Sequence, residues 1–135
     1  MSGVNIIYAL LKANAALIAV VPQARMKSGT LPEGIALPAI AIQRVSGVDR
    51  NIYSPAATVF VTERVQVTVL ARSYTEQSDT IKLIRKACRD QRGTIAGFGG
   101  VAVLTDTLGP DDIYGESAGI YLQTQDFKVT YSETP

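Results

Sequence analysis

The stretch VFVTERVQVTVLARSYTEQSDTIKLIRKAC, residues 59–88, decides the fold. In its first half Val61, Glu63, Val65, Val67, Val69 and Ala71 alternate with Thr62, Arg64, Gln66, Thr68, Leu70 and Arg72. A period of two is that of a strand with one face on a core and the other left polar, and it predicts a strand over residues 59–72. In the second half the period changes. Ile81, Ile84, Ala87 and Cys88, with Leu83 at the flank, recur at helical spacing. Between the two lies Ser73-Tyr74-Thr75-Glu76, a capping box whose hydroxyl and carboxylate satisfy orphan amides at a helix start. Gly93 offers the stop, so the helix is expected to reach about Arg92.

Upstream, AIAIQRV at residues 39–45 follows Pro38 as a buried strand whose far end turns polar, and residues 46–58 form a long polar loop. Residues 23–37 hold Ser28-Gly29, Pro32 and Gly34 without a period and predict a loop. The N-terminal segment places Val4, Ile7, Tyr8, Leu11, Ala15 and Ile18 on one helical face, with Asn14 placed to cap a second turn after a break near Ala13. Downstream, residues 93–100 predict a glycine-rich turn, and residues 101–108 and 119–131 two strands joined by a loop. In the last strand Gln123 and Gln125 share the parity of Tyr121, Phe127, Val129 and Tyr131, so its middle is polar on both faces.

The order is thus helix, strand, strand, helix, strand, strand. The simplest way to bury both apolar stripes is an α+β domain, a mainly antiparallel four-stranded sheet with two helices packed on one face. The second sheet face carries Arg64, Gln66 and Thr68 and is expected to be wet or covered by another subunit.

Composition narrows the chemistry. The 135 residues, 47% of them apolar, suit a single domain over residues 1–135. There is no histidine, which excludes a Ser-His-Asp triad, a Cys-His pair and an H-E-x-x-H zinc helix. The single cysteine, Cys88, closes no intrachain disulfide and reads as an inert core thiol on the apolar face of its helix. A net charge of +1 gives no bulk field toward nucleic acid or anionic lipid. No uncharged run reaches the ~18–20 residues of a membrane span, and the N-terminus lacks the basic start of a signal peptide, so a soluble protein without membrane contact is expected. Charged residues are 19% of the chain, against ~25% in a typical soluble domain, which hints at surface buried against other chains.

No catalytic constellation emerges, and no cofactor or metal is expected. Gly97–Gly100 superficially matches a phosphate-cradling loop, but no Lys-Ser or Lys-Thr follows and a strand comes next. Asp106, Asp111, Asp112 and Glu116 gather four carboxylates without a base between residues 106 and 118, in a spacing that fits no calcium loop. Lys82, Arg85, Lys86, Arg89 and Arg92 form a basic stripe opposite Ile81, Ile84 and Cys88. Both features are compatible with plain solvated surface, the basic one partly through the helix dipole. An acidic loop and a basic helix face in one near-neutral chain also suit head-to-tail self-association, with Arg85, Arg89 and Arg92 facing Asp106, Asp111, Asp112 and Glu116 of a second copy.

Four phrases carry a resemblance: IIYALLKANAALIAVV, LPAIAIQRVSG, RVQVTVLARSYTEQSDTIKLIRKAC and IYLQTQDFKVTYSE. Together they resemble the tail completion, or tail terminator, family of long-tailed phages and gene transfer particles, over residues 4–133. The resemblance implies a small α+β structural subunit without enzymatic activity. It implies a homo-oligomer, a six-membered ring at the head-proximal end of the tail tube, with the tail tube protein and a head-completion or connector protein as partners. DNA would meet it only by passing through its channel. On that reading residues 48–58, with Asp49, Arg50, Asn51 and Tyr53, are candidates for axial contacts, and Gln66, Thr68, Gln123 and Gln125 are candidates for the channel lining. A head-tail connector, a minor tail subunit, a small binding module and, last, a hydrolase using Asp106, Asp111 or Asp112 are the alternatives.

Overall fold

The alternating stretch folds as β3, Val59–Ala71, and sits at the centre of the sheet. The structure is a computed structural model and describes residues 2–29, 34–49, 59–109, 112–114 and 120–133. Elements in chain order are α1 (Ser2–Ala13), α2 (Ala15–Val20), a 3-10 turn (Gln23–Arg25), β1 (Met26–Ser28), β2 (Ala39–Asp49), β3, α3 (Tyr74–Cys88), β4 (Arg92–Ile95), β5 (Phe98–Leu108), β6 (Asp112–Tyr114) and β7 (Ile120–Glu133). Six strands run in the order β1-β2-β3-β7-β5-β4, and the short β6 adds to β7. The sheet is mixed, because β1 runs parallel to β2, and it curls into a half-barrel.

This corrects the expected four-stranded, mainly antiparallel sheet with two helices. The strands that were not foreseen are three or four residues long, too short to display a period, and lie in stretches whose turn residues dominate the reading. β1 lies in the expected loop 23–37, and β6 in the expected loop 109–118. The third helix is the second half of the N-terminal segment. Asn14 Oδ1 accepts a hydrogen bond from the Leu17 amide at 3.0 Å, which caps α2 where the break was anticipated. The break also resets the helical phase, so Leu17 is fully buried while Ala15 is exposed.

Helix α3 ends four residues earlier than its sequence pattern suggests. Arg89 is its C-cap, Asp90 has a φ of 54°, and the chain turns directly into β4. The glycine run is a hairpin. Ile95 pairs with Phe98 across Ala96 (φ 54°) and Gly97 (φ 83°), a two-residue turn with both central residues left-handed, the geometry that matches the twist of paired strands.

The longest ladder joins β3 to β7 without interruption from Val59↔Glu133 to Ala71↔Tyr121. Its apolar side, with Val65, Val67, Val69, Phe127 and Val129, is covered by Val4, Ile7 and Leu11 of α1, Leu17 of α2 and Ile81, Ile84 and Cys88 of α3. All three helices thus lie on one side of the sheet, and the opposite side is free of them. Among the described residues, no helix is long and apolar enough to cross a membrane.

Candidate functional site

The free side of the sheet is built from the second parity of β3. Thr62, Arg64, Gln66 and Thr68 lie in register with Thr130, Lys128, Asp126 and Thr124 of β7 and with residues of β2 on the other flank. Its centre carries small and polar side chains, many of them bonded within the sheet, while Lys128 is exposed and, by register, Val48, Phe60, Leu70, Leu104 and Leu122 share this side. Thr62 and Thr130 share a hydroxyl hydrogen bond at 3.2 Å, and Gln43 Nε2 donates to Gln66 Oε1 at 3.1 Å. Arg64 spans three strands. Its Nε donates to Asp126 Oδ2 at 2.7 Å and lies 3.6 Å from Asp106 Oδ2, so two carboxylates meet one guanidinium.

The structure separates the four candidate channel residues. Gln66 and Thr68 are on the free side, whereas Gln123 and Gln125 pair with Val69 and Val67 on the helix-covered side and are buried. Their amide nitrogens are spent internally, Gln123 Nε2 donating to the Gly109 carbonyl at 3.1 Å and Gln125 Nε2 to the Asp126 carbonyl at 2.8 Å, while Gln125 Oε1 is buried without a partner among the described residues. These two glutamines hold the chain where β5 gives way to β6, and they are withdrawn as lining residues. The parity was legible in the sequence. What covers it was not.

The acidic and basic candidates are also divided. Asp106 belongs to the Arg64 cluster on the sheet, away from the helices. Asp112 lies on β6, its backbone paired with Leu122, while Asp111 and Glu116 lie outside the described residues. The Leu122 carbonyl accepts from Gln77 Nε2 near the start of α3, so β6 adjoins that end of the helix. At the other end Lys82, Arg85, Lys86, Arg89 and Asp90 line a shallow groove of about 420 Å³. Arg85 Nε is buried there without a hydrogen-bond partner among the described residues, and Arg89 lies 3.7 Å from Asp90. Arg92 is on β4, beyond the helix end that the sequence suggested. Of the axial candidates, Asp49 closes β2, and Arg50, Asn51 and Tyr53 lie outside the described residues.

Sequence reasoning missed Glu63. It sits in the apolar stripe of β3 and is 2% exposed, with Oε2 accepting from the Gly3 amide at 2.9 Å and Oε1 from Tyr131 Oη at 2.7 Å. Arg44 Nη1 lies 3.7 Å from Oε1. A carboxylate at the N-terminus of α1 satisfies an orphan amide and meets the positive end of the helix dipole. It ties α1 to the central strand. Gly3 is required for this approach, because a Cβ there would collide with Glu63 Oε2. The available signal was a lone carboxylate in an otherwise apolar parity, which demands a buried partner.

Among the described residues no assembled acid–base dyad is present. Burial pushes the Cys88 thiol up to about 12, and among the described residues no three or more Cys, Asp or Glu side chains gather to hold a metal ion. The molecule offers surfaces instead: one free sheet face, one basic groove and the sheet's edges.

A helix-covered face, a free face and, among the described residues, no assembled reaction centre suit a component of an assembly. The chain belongs to the tail completion protein family: the model of "Tail completion protein gp17" matches residues 6–132. It is therefore a structural protein of a phage-type tail. Among solved structures, a chain in a structure described as the virion of a native gene transfer agent particle superposes with a TM-score of 0.73, covering 95% of this chain and 92% of that one at 13% identity. At that identity the likeness speaks for the fold alone. No curated protein sequence matches the chain.

Proposed function

We propose that this chain forms a ring, of six copies, at the head-proximal end of the tail tube, where it ends tube growth and joins tail to head around a channel for DNA. The observation that carries the reading is the family match over residues 6–132 on a sheet whose one face is sealed by three helices and whose other face is free. The free face would line the channel. Each phosphate neutralised by a wall cation adds salt-sensitive affinity that retards sliding, so a wall for DNA passage needs small polar groups and compensated charge. Thr62, Gln66, Thr68 and Thr130 supply the first, and Arg64 and Lys128 against Asp126 and Asp106 supply the second.

A closed ring needs heterologous contacts, in which one patch on each copy meets a different patch on the next. The acidic residues Asp111, Asp112 and Glu116 and the basic residues Arg85 and Arg89 at the end of α3, with Arg92 of β4, are complementary in charge, and β6, which carries Asp112, adjoins the start of α3, away from the basic groove. Residues 48–58 serve as axial or intersubunit contacts, the axial ones to the tube or to the head-completion protein. Tube growth ends because one face of the ring complements the last tube ring and the other does not accept a further tube subunit. The chain performs no catalysis and needs no cofactor in this role.

Gold-labelled antibody against the chain, applied to disrupted particles, tests the placement. A label confined to the head-proximal tail end is expected. A label along the whole tube, at the distal tip or on the head shell would overturn it.

A further inference from the structure

The curled sheet ends in two edges that are free among the described residues. On one side β1 covers only Ile40–Ile42 of β2, its last backbone bond being Gly29 N–H to the Ile42 carbonyl, so residues 43–49 of β2 have no strand outside them. On the other side β4 covers Phe98–Ala102 of β5, with Val103 donating to the Gln91 carbonyl, so residues 104–108 of β5 have none either. Through the ladders, Arg44 of β2 lies level with Val65, Phe127 and Thr105 of β5, and Ser46 with Arg64, Lys128 and Leu104, so the two free edges share these rungs on opposite flanks of the sheet and extend from them in opposite directions. Each is bulged there, β2 between Arg44 and Ser46 and β5 between Thr105 and Leu108, and a bulge bends its strand and strengthens the twist.

Both edges also expose large apolar side chains. Val45 and Val48 on β2 and Leu104 and Leu108 on β5 are each 44–66% exposed. Unpaired backbone next to exposed aliphatic side chains is a template for pairing with another strand. A second copy supplies the complement, since the two edges share rungs at Arg44–Ser46 and Leu104–Thr105, both expose aliphatic side chains beside unpaired backbone, and differ from each other, as a heterologous contact requires.

We propose that the free edge of β2 in one copy pairs with the free edge of β5 in the next, so that the sheets join into one continuous wall. The partner is a second copy of this chain. Strand direction follows from the topology: β2 and β5 run antiparallel within one sheet, and rotation about a ring axis preserves up and down, so the joint is antiparallel. It brings Val48 toward Leu104 on the Arg64 side of the wall, with Leu108 on the helix-covered side, and leaves the Arg64 face toward the enclosed space. The inference rests on the ring reading above and adds the joint that closes the ring.

Cysteine pairs test it. The full chain is made with Val45→Cys or Val48→Cys combined with Leu104→Cys or Leu108→Cys, and oxidised both as purified protein and within particles. A ladder of covalent oligomers ending at the closed ring is expected from at least one pair, with no species beyond a dimer from any single variant. Oligomers that form without a ladder from any pair, dimers from single variants as abundant as the ladders, or a chain that stays monomeric in solution and uncrosslinked in particles would overturn it. As a second variant, Leu104→Asp is expected to lose self-association while the midpoint of thermal unfolding stays that of the parent monomer; retained association contradicts the joint. Gold labelling at the tail end is read separately, so a failed joint and a misplaced ring are distinguishable.

Discussion

Glu63 shows how one residue can organise a small α+β domain. Its carboxylate bonds the first turn of α1 and the hydroxyl of Tyr131 at once, so removing it takes a buried acceptor from two donors. Glu63→Ala is expected to lower unfolding stability by about 2–4 kcal/mol, since each buried unsatisfied group costs ~1–3 kcal/mol. Gly3→Ala, which pushes a methyl into that carboxylate, should cost about 1–3 kcal/mol by overpacking. Urea titration of both variants checks this, and an effect within 0.5 kcal/mol, roughly the range of an ordinary surface substitution, counts against it. Ala96 makes the opposite prediction. An L-residue at φ 54° is strained by roughly 1–2 kcal/mol and asparagine tolerates that region better, so Ala96→Asn should stabilise by about 0.5–1 kcal/mol in the same titration. Cys88, fully buried with its thiol pushed up to about 12, should resist a disulfide reagent at pH 8 and react only as fast as the chain unfolds. Rapid labelling in the native state would contradict its place in the core.

At the scale of elements, long periodic segments were legible and short ones were not. β3, the capping box and the break at Asn14 were readable because each has a local cause: alternation over thirteen residues, a hydroxyl and carboxylate three apart, an amide side chain at a helix start. β1, β4 and β6 owe their existence to the edges they pair with, a tertiary cause that no three- or four-residue window contains. The α3 cap carries a pH prediction. The hydrogen bond and charge of Arg72 hold the Glu76 carboxyl below its usual range against a smaller opposing effect of partial burial. A depressed folded-state value means that the stabilisation is present above the unfolded pKa, near 4.5, and is lost as pH falls through the folded value. Glu76→Gln should therefore flatten the acid limb of the stability curve, and an unchanged limb would contradict the pair. Ser73→Ala should cost ~1 kcal/mol through loss of the bond to the Glu76 amide.

At the scale of the whole molecule, the family was legible from the arrangement of phrases along the chain, whereas the surfaces were legible only in part. Gln66 and Thr68 are where alternation put them, but Gln123 and Gln125 are buried, because the turn from β5 into β6 brings carbonyls that take up their amides. Asp106 was grouped with Asp111 and Asp112 by proximity in sequence, and the sheet instead brings it to Arg64, more than forty residues away in the chain. Long-range partners of this kind decide which polar groups remain available for assembly. With the core face sealed and Arg64 taken up by Asp126 and Asp106, the edges and helix ends are what the described surface leaves for the contacts of the proposed ring.

The most direct measurement of that account is electron microscopy of particles produced without this gene, scoring tail length and head attachment against the intact particles. Overlong or unattached tails are predicted, with normal length and attachment restored by supplying the chain. Tails of normal length, joined to heads in the absence of the chain, would contradict it.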